Sequence, residues 1–416
     1  MIERALGTKI LEAAGQYPVV TLLGPRQSGK TTLVKRLFPD YRYANMEDPD
    51  VRALAQDDPR TFFEMNPEPL VLDEIHRVPE LLSRIQVKVD EDRGRKGRFI
   101  LTGSHQPRLK EAVSQSLAGR TAELELWPLS LEELGGAAEG VATDEILLRG
   151  FMPEAWAGTV APTDFHRNYF RTYVERDVRT LLEVRNAAAF EKFLHLLAGR
   201  IGQLANLDGL AGEVGVSVPT IGHWLAVAEA SFIAFRLRPW HANVGKRFVK
   251  SPKIYFADVG LAAYLLGIET PEQLARDPLR GNLFENMVVA DLVKLRTNAG
   301  RDPGLFFVRD SKGFEVDALF AFGGDLLPME IKSSRTYAPG LVKNLGAFRK
   351  VLPGCGPARL LYDGEDYPAR SGVECLNFRR ISRARLFESA GGTSAPPVST
   401  CVPSGSHPPP GWGGEP

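Results

Sequence analysis

Apolar residues fall into two alternating patterns over the first hundred positions. Short continuous runs, Pro18-Val19-Val20-Thr21-Leu22-Leu23, Pro69-Leu70-Val71-Leu72 and Arg98-Phe99-Ile100-Leu101, have the length and composition of buried strands. Between them, residues 1–15, 32–38 and 79–86 repeat apolar positions three and four apart, which predicts amphipathic helices. A short strand over Tyr41–Asn45 and a helix opened by Glu47-Asp48-Pro49-Asp50 complete the alternation. Strands and helices in this rhythm predict a parallel sheet covered on both faces. The pattern carries no information on strand order.

The character changes after Pro162. Residues 164–183 form one long helical segment whose Arg171, Glu175, Arg176, Asp177 and Arg179 suit a solvated or interdomain face. Residues 189–260 have the layout of a winged helix-turn-helix: a helix near Phe190–Leu197, a short one over 207–214, a turn at Gly215-Val216, and a second helix from Ser217. Ser217 is an N-cap residue and Pro219 falls in the first turn. Strands over 232–238 and 253–256 would flank the wing, with Lys246, Arg247 and Lys250 available to phosphates. Residues 281–378 read as a further α/β unit. The last 28 residues hold 18 Pro, Gly or Ser, so a disordered tail is expected over 389–416. The expected division is 1–150, a helical linker 151–188, the winged segment 189–265, an α/β unit 266–388, and the tail.

Composition is that of a globular chain: 416 residues, 44% apolar and 25% charged, with net charge zero, so no global basic field points to nucleic acid. The three cysteines, Cys355, Cys375 and Cys401, include no CxxC pair, which argues against a disulfide framework or a structural zinc site. No apolar run is long enough to cross a bilayer, and the first residues open an amphipathic helix rather than a signal peptide. The expectation is a cytoplasmic protein without a membrane partner.

Candidate chemistry concentrates between the first strand and the next helix. Gly24-Pro25-Arg26-Gln27-Ser28-Gly29-Lys30-Thr31 fits the phosphate-loop pattern GxxxxGK[ST]. Its glycines let the backbone wrap phosphates at a helix N-terminus. Gly24 through Thr32 would bind ATP; Lys30 would reach the outer phosphates and the Thr31 hydroxyl would hold Mg²⁺. The strand ending in Asp73-Glu74 matches a Walker B element. Asp73 would hold the same Mg²⁺, and Glu74 would orient and deprotonate the attacking water. Thr102-Gly103-Ser104-His105-Gln106 follows another buried strand, where Ser104, His105 or Gln106 could sense the γ-phosphate. Arg120, just before a strand, has the placement of an arginine finger that reaches a neighbouring subunit's nucleotide, which would make the protein a homo-oligomer.

Together the phosphate loop, LDEIHRVPELL (72–82), LTGSHQ (101–106) and SLAGR (116–120) resemble prokaryotic AAA-type ATPases whose C-terminal part is a domain of unknown function numbered 4143. RNYFRTYVERDV (167–178), TIGHWL (220–225), KIYFADVGLAAYLL (253–266) and GNLFENMVV (281–289) are similar to the same family. The resemblance implies a P-loop ATPase core, a winged-helix segment and a nuclease-like C-terminal fold. His105 departs from the asparagine usual at that position. In the C-terminal unit, Glu285, Asp317 and Glu330-Ile331-Lys332 resemble a PD-(D/E)xK nuclease core. Strand alternation puts Glu330 and Lys332 on one face. Asp317 and Glu330 would hold Mg²⁺, Glu285 would add to the site from its helix, and Lys332 would position water or stabilise charge. Three readings follow: an ATP-hydrolysing switch or motor acting on DNA; a nucleotide-gated binding or regulatory protein with an inactive nuclease-like domain; and an ATP-gated, metal-dependent nuclease.

Overall fold

The structure, a computed structural model, describes residues 2–104, 112–113, 115–158, 160–173, 187–240, 249–310, 312–322, 325–351, 355–370 and 372–388. His105, Gln106, residues 174–183 of the segment expected to be helical, Lys246, Arg247 and the 389–416 tail lie outside the described residues.

The first sheet has five parallel strands: β1 (Val19–Gly24), β2 (Arg42–Asn45), β3 (Leu70–Asp73), β4 (Phe99–Ser104) and β5 (Thr121–Glu125), in the order β2-β3-β4-β1-β5. The continuous apolar runs are divided between its two faces, because successive side chains point to opposite sides. Val20 and Leu22 pack with Ile10, Leu33, Val34, Val71 and Ile100 on one face. Val19 and Leu23 pack with Phe62, Leu72, Leu82, Ile85 and Phe99 on the other. Burial on both sides is why these strands carry no polar alternation. The register sets Gly24 beside Ser104 and Asn45 beside Asp73, so the C-terminal ends of β1, β3 and β4 share one edge.

Eight strands make the second sheet: β6 (Ala234–Pro239), β7 (Lys253–Phe256), β8 (Leu305–Arg309), β9 (Glu315–Phe322), β10 (Asp325–Lys332), β11 (Ala358–Tyr362), β12 (Tyr367–Arg370) and β13 (Val373–Asn377), ordered β12-β13-β11-β10-β9-β8-β6-β7. β6 and β7 pair antiparallel, and β6 also joins β8 with Arg238 beside Phe306. The β6–β7 hairpin is thus continuous with the sheet of the C-terminal unit. The two helices before it, Leu207–Val214 and Val218–Ala230, are capped by Asn206 and Ser217 and separated by Gly215 at φ 87°. Helix Arg280–Thr297 is buried almost all round and packs on β7 and β10. Among the described residues no helix is long and apolar enough to cross a membrane.

Candidate functional site

The loop after β1 curls around the ammonium of Lys30. Gly29 has φ 90°, a conformation that favours glycine, and a Cβ on Gly24 would lie 2.3 Å from the Leu126 carbonyl oxygen. Lys30 opens the next helix, and its Nζ donates to the carbonyls of Gly24 (3.0 Å) and Pro25 (2.7 Å). Ser28 Oγ donates to the Pro25 carbonyl at 2.9 Å and tightens the same turn. Burial pulls the Lys30 pKa down to about 8, against the attraction of Glu74 and Asp73.

Three hydroxyls converge on Asp73 at the end of β3. Thr31 Oγ1 (2.8 Å) and Tyr43 Oη (2.5 Å) donate to Oδ2, while Thr102 Oγ1 donates to Oδ1. Glu74 follows with its backbone in the left-handed region, φ 57°, an uncommon state for a residue with a Cβ. Its N–H reaches Thr102 Oγ1 at 3.3 Å, and its Oε2 accepts from the Ser104 N–H at 3.4 Å. His76 Nδ1 lies 3.0 Å from the same Oε2, outside hydrogen-bond geometry. Burial pushes the Glu74 carboxyl up; the His76 contact and the Lys30 charge outweigh it and hold the group down to about 2. Ser104 Oγ is buried at this edge with no hydrogen-bond partner among the described residues.

Two cavities meet across the loop. One, of 760 Å³, is lined by Lys30, Thr31, Glu74, Thr172 and Tyr173; the other, of 530 Å³, by Ile2, Leu33, Leu129 and Trp156. Gly29, Thr32, Pro153 and Glu154 belong to both. Arg26 and Gln27 line the first. A polar compartment and an apolar one on either side of a phosphate loop suit a nucleotide, triphosphate in one and base in the other. Arg120 is elsewhere. It makes a two-pronged pair with Asp90, both contacts 2.8 Å, one residue before the level of Val19. That is roughly 20 Å from Gly24 along the strand direction, so it cannot reach its own chain's loop.

Tyr43, Thr102, His76 and Arg4 are the residues that the sequence pattern did not single out. Thr102 and His76 sit inside motifs already marked, but nothing in the spacing of Arg4 or Tyr43 announces them. Arg4 donates to the Ser28 carbonyl in the loop and to the Trp127 carbonyl, each at 2.6 Å, and pairs with Glu133 at 3.0 Å. Beside it, the Leu131 N–H donates to Asp291 (2.7 Å) and Lys294 donates to the Leu129 carbonyl (2.9 Å). These contacts tie the nucleotide-loop side of the first unit to helix Arg280–Thr297.

The C-terminal candidates do converge, in company. Lys332 Nζ bridges Asp317 (2.7 Å) and Glu330 (2.8 Å), and the Ile331 N–H donates to Asp317 at 2.9 Å. Glu285 is engaged elsewhere: Lys253 Nζ lies at 2.9 Å and Tyr255 Oη at 2.6 Å. The same Lys253 Nζ is 2.5 Å from Glu315, whose other oxygen meets Arg309 at 3.1 Å. Burial pushes Glu330 up to about 8, helped by Asp317 and opposed by Lys332. For Lys253 the carboxylates outweigh burial and hold the ammonium above its ordinary pKa. Sequence reasoning missed Lys253, Tyr255 and Glu315, although alternation gives the signal: 253 and 255 share a face of β7, 315 and 317 a face of β9. Among the described residues no group of three or more His, Cys, Asp or Glu side chains is arranged to hold a metal ion.

With this geometry in view, three family models match the chain: an AAA domain over residues 16–135, a domain of unknown function (DUF8612) over 141–272, and a domain of unknown function (DUF4143) over 280–381. An uncharacterized protein of Mycobacterium tuberculosis is 32% identical over 373 residues, 88% of this chain and 81% of its own length. The chain belongs to the AAA-type P-loop ATPases with a DUF4143 C-terminal domain. An uncharacterized protein of Haemophilus influenzae is more distant, 23% identical over 75% of this chain and 82% of its own length. Among solved structures, a Walker-type ATPase of Pyrococcus abyssi covers 62% of this chain and 94% of its own, at 17% identity and a TM-score of 0.40.

Proposed function

We propose that this protein is an Mg²⁺-dependent ATPase that works as a nucleotide-driven switch. The convergence of Lys30, Thr31, Asp73, Glu74 and Ser104 at one sheet edge carries the reading. ATP lies with its triphosphate along Gly24–Thr32 and its base toward Leu33 and Trp156. Thr31 and Asp73 would hold Mg²⁺, which would supply charge neutralisation at the phosphates. Glu74 orients water and accepts its proton, and the orphan Ser104 hydroxyl meets the γ-phosphate. Arg120 acts across a subunit boundary, since its own loop is out of reach.

Tyr43 tunes the metal end of this site. A hydroxyl that donates to Asp73 keeps that carboxylate in one rotamer when Thr31 turns to the ion. Tyr43→Phe is expected to raise the Mg²⁺ concentration for half-maximal turnover about tenfold, the low end of a hydrogen bond to a charged acceptor, with turnover at saturating Mg²⁺ nearly unchanged. The Mg²⁺ dependence of nucleotide affinity, measured without turnover, should move in the same direction. No change in either would leave Tyr43 a packing residue.

The target class is DNA, on the support of the helix-turn-helix arrangement of 207–230 with its following hairpin. ATP turnover measured with no DNA, single-stranded DNA and duplex DNA tests it, and stimulation is the expected result. One observation favours a second reading: helix Val218–Ala230 contains no Lys or Arg, so on the described residues phosphate contact falls to its neighbours, such as Lys250. Unstimulated turnover supports that alternative, a nucleotide-gated protein that recognises a protein partner.

A further inference from the structure

The C-terminal cluster has the carboxylates that a nuclease metal site would need, but its cation is already built in. Two strands and one helix set four carboxylates around two lysines: Glu315 on β9 and Glu285 on helix Arg280–Thr297 around Lys253, and Asp317 on β9 and Glu330 on β10 around Lys332. Each is within 3.0 Å of a lysine ammonium.

The two lysines differ in freedom. Lys332 is 34% exposed at its side chain, so it can swing aside to admit an ion or a substrate. Lys253 cannot. Its side chain is 2% exposed, its backbone pairs with Leu237 and bridges to Leu204, and its ammonium lies 5.6 Å from the Phe307 ring centre. Tyr255, two residues along the same strand face, donates to the Glu285 oxygen that Lys253 also contacts. Arg309 holds the second oxygen of Glu315. Glu285 and Glu315 are therefore committed to a fixed ammonium. A divalent ion there would face that ammonium inside one buried cage, where like charges are poorly screened. What remains is Asp317 and Glu330, with Glu330 Oε2 buried and without a hydrogen-bond partner among the described residues.

We propose that Lys253 is the resident cation of this cluster and keeps Glu285 and Glu315 from completing a metal site at Asp317 and Glu330, so that the C-terminal domain works without a divalent ion. The cluster then serves as an internal ionic tie between β7, β9 and helix Arg280–Thr297. This inference is independent of ATP turnover.

The experiment is Mn²⁺ binding to the full-length protein without nucleotide, followed by electron paramagnetic resonance of free Mn²⁺ and by the thermal shift on adding the ion. Wild type is compared with Asp317→Asn, which separates this cluster from the nucleotide site. Wild type and Asp317→Asn are expected to bind Mn²⁺ alike, with the ion shifting the melting temperature of each by the same amount. Binding by wild type that Asp317→Asn removes would overturn the proposal, and this comparison decides it even if the next variant does not fold. Lys253→Met removes the ammonium and keeps much of the stem. It is expected to gain an Mn²⁺ site that Asp317→Asn abolishes in the double variant, and to melt higher with the ion. A folded Lys253→Met that binds no more Mn²⁺ than wild type would equally overturn the claim that the lysine keeps a metal out.

Discussion

Lys30→Ala is expected to weaken ATP binding by roughly 10²- to 10⁴-fold, the loss of two charge-assisted hydrogen bonds of about 1.5–3 kcal/mol each, and to abolish measurable turnover. The fold should be spared. Among the described residues the Lys30 ammonium donates to the carbonyls of Gly24 and Pro25 in its own loop, and it is buried at some cost. The sign of that cost can be worked through. Burial holds the native pKa at about 8, below the ordinary 10.5, so between these values the unfolded chain carries more protons than the folded one. Charged Lys30 therefore disfavours the folded state below about pH 8, and the penalty fades as pH rises toward 10.5. The alanine variant should melt within a few degrees of wild type at neutral pH. A related consequence is that ATP affinity of the wild type should fall as pH rises through about 8, when the free site loses its ammonium. Nucleotide titration at several pH values, beside a thermal melt, checks both. Normal hydrolysis by Lys30→Ala would refute the assignment of this loop.

Glu74→Gln should part binding from chemistry. The amide keeps the size of the side chain and can still contact the Ser104 N–H, but it cannot take a proton from water. Turnover is expected to drop roughly 10²- to 10⁴-fold, the usual contribution of a positioned general base, with ATP affinity changed little. The carboxylate is held down to about 2, so it is ionised across the whole assay range and its loss should not be mimicked by mild acid. Its present contacts are with His76 and the Ser104 backbone, so it must leave His76 to act on a water beside the γ-phosphate. Equal loss of binding and turnover would make Glu74 a structural group.

The extent to which such sites are legible in the chain differs from residue to residue. Gly24–Thr32 is a contiguous segment whose function depends on local backbone shape, so spacing alone identifies it. Asp73 and Glu74 end a run of apolar residues, and Glu330 and Lys332 alternate along one strand; both are local patterns too. Tyr43 reaches Asp73 only because β2 and β3 are neighbours, thirty residues apart in sequence. Arg4 meets Ser28 and Trp127 across two different elements. Arg120 looks equally suited to a nucleotide in sequence, yet its strand register sets it at the far edge of the sheet.

By itself, then, the sequence determined the local elements: the phosphate loop, the apolar strands, the amphipathic helices and the charged residues on each strand face. These depend on interactions within a few residues, which composition and period record directly. Only the tertiary structure decided the order β2-β3-β4-β1-β5, which sets β4 and its Ser104 between the loop strand and Asp73. It alone joined the β6–β7 hairpin to the C-terminal sheet, and set Lys253 between Glu285 and Glu315, 32 residues away in one case. Those outcomes follow from which buried faces cover one another, and a one-dimensional pattern of apolar positions is the same for many such pairings.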